Sequence, residues 1–72
     1  MTKREAKDRI FKKLNAFQRM FLENAIAEKL NAVLSKDAEG AEYERGIIYG
    51  YMSCLYDMGI VTKEEFVAYF CN

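Results

Sequence analysis

The stretch Gly46-Ile47-Ile48-Tyr49-Gly50-Tyr51-Met52-Ser53-Cys54-Leu55-Tyr56 carries no charge over eleven residues, in a chain of which 31% is Asp, Glu, Lys or Arg. On a helical wheel, at about 100° per residue, its side chains sort into sectors. Tyr43, Ile47, Tyr51, Cys54 and Met58 make one apolar ridge, which Ile48, Met52 and Leu55 widen. Tyr49 and Tyr56 flank it, and Gly46, Gly50, Ser53 and Asp57 form a seam of small or short side chains. A helix apolar over most of its circumference is buried on several sides. The spacing therefore predicts a central helix over about residues 38–58, with Cys54 on its buried ridge.

The rest of the chain is short for such a core. At 72 residues it reads as one domain, 1–72, and a domain of this size hides only about 60% of its unfolded surface. Disulfides, metal or oligomerisation usually supplement so small a core. Two cysteines allow at most one bridge, Cys54–Cys71, and with no His there is no cluster for zinc. Self-association is the aid that composition leaves open, and ten Phe and Tyr residues give it material. The start Met1-Thr2-Lys3-Arg4-Glu5 is charged rather than an apolar secretory segment. The uncharged run is far below the roughly 20 residues of a membrane span. The expectation is a cytoplasmic protein with reduced thiols and no membrane contact.

Capping signals divide the chain into helices. Thr2 and Glu5 form a capping box, so a first helix starts near Lys3. Apolar residues recur at Ala6, Ile10, Leu14, Phe17, Phe21 and Ala25, and a second stripe follows at Leu22, Ile26, Leu30 and Val33. Two readings compete. Either one helix runs over about 3–35, roughly 48 Å long, or it breaks where Asn15 and Gln18 could cap a new start. With neither Gly nor Pro near Asn15, the continuous helix is the expectation. Asp37 caps the central helix. Gly59 suits its left-handed end, with Ile60 folding back on Leu55. Thr62 and Glu65 then open a short helix over about 63–70, with Val61 and Phe66 at staple spacing.

This predicts an all-α, three-helix protein whose first helix overhangs the second. Phe11, Phe17, Phe21 and Leu22 exceed what one 20-residue helix can cover. A homodimer through them is expected, with Tyr49 and Tyr56 as further partner contacts. Gly46-x-x-x-Gly50 reads as a close helix-packing seam, with a small-ligand pocket beside it as the functional alternative. Charge is uneven, +5 over residues 1–20 and −5 over residues 21–72. The basic arm is read as meeting acidic helices of its own chain or a partner. Nucleic-acid contact through Lys3, Arg4, Lys7, Arg9, Lys12, Lys13 and Arg19 is the alternative.

No catalytic constellation emerges. Cys54 and Cys71 lack a His to activate them, and the adjacent Glu64 and Glu65 point to different helix faces. No metal site and no cofactor is expected, and the chain reads as a non-enzyme. A helix-turn-helix around Gly59 would place the acidic Lys63-Glu64-Glu65 segment against base edges, which argues against DNA reading.

The segment Leu55-Tyr56-Asp57-Met58-Gly59-Ile60-Val61-Thr62-Lys63-Glu64-Glu65-Phe66 resembles the signature of SHOCT domains, hydrophobic-Gly-Ile-[Ile/Val]-Thr-x-Glu-Glu-Phe. The resemblance covers a dozen residues, and Val67-Ala68-Tyr69-Phe70 replaces the usual leucine-rich continuation. It implies a short helical hairpin used for oligomerisation or interaction, with no catalytic residues to carry over. In size and style the chain is also similar to small proteins of bacterial phages and mobile elements. That similarity implies a modulator of a host protein.

Overall fold

The computed structural model describes residues 1–71, which form four α-helices: α1 (Lys3–Lys13), α2 (Ala16–Leu34), α3 (Ala38–Asp57) and α4 (Lys63–Cys71). No strand occurs among the described residues, so the all-α expectation holds. The long first helix does not. It is two helices, and the physical cause is local. Asn15 leaves helical geometry (ψ 173°) and its side chain accepts from the Gln18 N–H at 2.8 Å. The Gln18 side chain accepts in return from the Asn15 N–H at 3.0 Å. This reciprocal box satisfies the donors that a break exposes, so no Gly or Pro is needed. Leu14, extended at ψ 145°, turns into the core, and the Arg19 guanidinium donates to the Phe11 carbonyl across the joint at 3.0 Å.

The break lets α1 turn back onto α4, while α2 and α3 form a hairpin. Lys13 at the end of α1 meets Glu65 at the start of α4, and Lys3 at the start of α1 sits over Tyr69 near the end of α4. These two helices are therefore antiparallel. One core joins both pairs. It takes Ala6, Ile10 and Leu14 from the first arm, Leu22 and Ala25 from α2, Ile48, Met52 and Leu55 from α3, and Val61, Ala68 and Tyr69 from the last arm.

The C-terminal ends of both hairpin helices are Schellman motifs. After α3, Gly59 (φ 79°) donates to the Tyr56 carbonyl and Ile60 to that of Leu55, both at 2.9 Å, as its sequence foretells. After α2, Asp37 donates to the Ala32 carbonyl at 2.8 Å and Lys36 to that of Val33 at 3.1 Å. Here the left-handed position is held by Lys36 (φ 61°) instead of glycine. The Asp37 carboxylate then caps α3, accepting from the Gly40 N–H at 3.0 Å.

Candidate interaction surface and ligand cleft

The central helix α3 meets its surroundings differently on each side. Ile48, Met52 and Leu55, expected only to widen the buried ridge, are its core residues. Tyr49 and Tyr56 face α4. Tyr49 lies edge-on to Phe66 and Phe70, with ring centroids 5.6 and 5.1 Å apart, and Tyr56 lies edge-on to Phe66 at 5.5 Å. Both remain partly open to solvent, so these two partner candidates also serve the α3–α4 contact.

The predicted ridge is the opposite case. Ile47 and Tyr51 are half-buried, but Tyr43, Cys54 and Met58 are exposed. The core is reached from the neighbouring side of the helix, so the reading of Cys54 as buried is corrected; Cys54 and Cys71 are both free and exposed. Across the hairpin, the Phe21 ring stacks on Tyr51 with centroids 4.4 Å apart and planes at 29°. One turn before it, Phe17 is 80% exposed. Phe17, Phe21, Tyr51, Cys54 and Met58 thus lie along one side of the α2–α3 hairpin, continued by Ile47 and Tyr43.

Two other interface expectations change. Leu22 is 0% exposed, taken by the chain's own core once α2 is a separate helix matched in length to α3. The overhang that called for a partner therefore disappears, while Phe11 is half-buried beneath Lys7. Gly46 and Gly50 are not a close-packing seam, because a side-chain carbon at either position would meet no atom within 4 Å. They face open space, since α2 and α4 approach α3 from other sides.

The basic residues surround α1 instead of forming one stripe, since Lys3, Arg4, Arg9 and Lys12 point in four directions at about 100° per residue. Several have local partners. Lys13 bonds Glu65 at 2.5 Å, Arg19 bonds the Phe11 carbonyl, and Lys3 and Lys7 sit 5.0 and 5.6 Å from the ring centres of Tyr69 and Phe11. Arg4 and Lys12 are exposed. Burial disfavours the Glu65 charge, but the Lys13 ammonium and the Thr62 N–H outweigh it and hold the carboxyl below its usual range. Burial alone pushes the Tyr69 hydroxyl up.

A cleft of about 730 Å³ opens between α1 and the hairpin, with all four helices in its walls. Gly46 lines it and Gly50 does not, so the pocket weighed beside the glycine pair lies at the first of them. Nothing in the sequence places Lys29, Tyr69 and Phe70 at one site, because only the α1–α4 and α2–α3 pairings bring them together. Among the described residues, no group of three or more His, Cys, Asp or Glu could hold a metal ion. No helix among them is long and apolar enough to cross a membrane.

Compared with protein-family models, with curated proteins and with solved structures, the chain matches none of them. Fold and surface define a small all-α protein built from two antiparallel helix pairs, with an apolar face on the α2–α3 hairpin.

Proposed function

We propose that the chain is a small, non-enzymatic helical protein–protein interaction module, and that it acts in the cytoplasm as a homodimer. The α2–α3 face is the contact. The observation that carries this is Phe17, 80% exposed, one turn from the Phe21–Tyr51 stack and on the same side as Met58, itself 65% exposed. Contiguous exposed apolar residues mark interaction surfaces, and burying each large side chain stabilises by about 1.5–3 kcal/mol. A symmetric pair buries the same face on both copies, which suits a face with no charged residue among Phe17, Phe21, Tyr51, Cys54 and Met58. The dimer then meets a further protein, and modulation of a host protein by a mobile-element product is one concrete setting.

Solution mass by light scattering, at low and high salt and with short duplex DNA, tests this. The expected result is a dimer mass at both salts that ignores DNA. A monomer throughout would overturn the reading. A DNA complex that dissolves as salt rises would replace it with nucleic-acid binding through α1.

A further inference from the structure

The cleft beside Gly46 stands apart from the dimerisation face. Its volume, about 730 Å³, falls inside the range of small-molecule sites, about 300–1,000 Å³. Ile26, Ile48, Tyr49, Tyr69 and Phe70 give it an apolar, largely aromatic lining. Around this lining stand Lys3 and Lys7 from α1, Lys29 from α2 and Arg45 from α3. Among the described residues that line it, Glu42 is the single carboxylate, and it pairs with Arg45 at 2.9 Å. With that pair balanced, three ammonium groups remain among the described lining residues. Lys3 rests over the Tyr69 ring at 5.0 Å, so one positive charge is already held where the apolar lining begins.

This combination selects for a ligand of two parts. An anionic head satisfies the ammonium groups, and an apolar body covers the rings and the two isoleucines. Gly46 keeps the wall open, because a side chain there would enter space in which no atom lies within 4 Å. We propose that the cleft binds a small amphipathic anion, a carboxylate or phosphate head on an aliphatic or aromatic body. The site is independent of the dimer, since Phe17, Phe21, Tyr51, Cys54 and Met58 do not line it.

Decanoate, decyl phosphate and decanol, each below its micelle concentration, are the probes, titrated into the full chain by calorimetry and by amide NMR. The expected result is saturable binding of at least one anion, with amide shifts centred on Gly46, Ile48 and Tyr69, and decanol at least tenfold weaker. A tenfold preference between the two anions assigns the head and upholds the proposal. Lys7→Gln with Lys29→Gln weakens the anion at least tenfold and leaves decanol unchanged. Gly46→Leu abolishes binding while keeping the helical signal and raising no barrier to folding, since leucine is the better helix former. Equal binding of decanol and both anions, shifts centred on Phe17 and Met58, undiminished binding by Gly46→Leu, or no saturation by any probe would each overturn the proposal.

Discussion

Lys13, the last residue of α1, donates to the carboxylate of Glu65, the third residue of α4, at 2.5 Å. The same carboxylate oxygen accepts from the Thr62 N–H at 2.9 Å, so one side chain both caps α4 and ties it to α1. Glu65 is 5% exposed, and an ionised group so placed depends on its partners.

Replacing Glu65 by Gln should therefore cost about 1–2 kcal/mol at neutral pH, a figure kept low because Lys13 is partly solvated. Lys13→Met should cost a similar amount, and the double variant less than the sum of the two. The pH dependence follows from the lowered carboxyl. Its contribution is complete above the ordinary value of 4.5 and is lost as pH falls through the lower folded-state value. Urea unfolding at pH 7, 5 and 3 should show a steeper acid loss in the native chain than in Glu65→Gln. Parallel losses would mean that the pair does not couple to folding.

Lys36 occupies a left-handed position at φ 61°, where a residue with a Cβ carries a cost of about 1–2 kcal/mol. Glycine removes that cost and gives back about 0.5–1 kcal/mol in unfolded-state entropy. Lys36→Gly should stabilise by about 0.5–1 kcal/mol, seen as a Tm higher by roughly 3–6 °C. A lower Tm would show that the lysine side chain contributes more than its backbone costs.

Leu22 and Phe17 differ by five positions and by opposite fates. Leu22→Ala should destabilise by about 2–5 kcal/mol, as fully buried leucines do. Phe17→Ser should leave the stability of the isolated chain within about 0.5 kcal/mol. Chemical denaturation at the lowest workable protein concentration separates the two. Equal costs would place Phe17 in the folding core.

Much of the fold was legible where local chemistry decides it. The Thr2–Glu5 and Thr62–Glu65 boxes and the Gly59 ending occur where the side chains demand them. The break at Asn15 was legible as a capping pair yet outweighed by the lack of Gly or Pro. The reciprocal Asn15–Gln18 bonds satisfy the exposed donors without either, and the packing of α1 on α4 that the break allows is reported by no local pattern. Lys36 gave no signal either, because a left-handed lysine is set by the 32–37 hydrogen bonds rather than by residue type. Which face of α3 turns inward is hidden for a related reason. Its wheel is apolar nearly all round, so periodicity cannot say that Ile48 and Met52 go inward while Cys54 and Met58 stay outside. The Lys13–Glu65 pair and the cleft both join residues far apart in the chain and follow only from the tertiary arrangement.

The proposed homodimer places the α2–α3 face between two copies of the chain. Sedimentation equilibrium of the native protein beside Phe17→Glu and Met58→Glu tests it most directly. A dimer is expected for the native chain and monomers for both variants, with the helical signal and Tm of the monomeric fold retained. Dimers in all three, or a native monomer at every concentration, would contradict it.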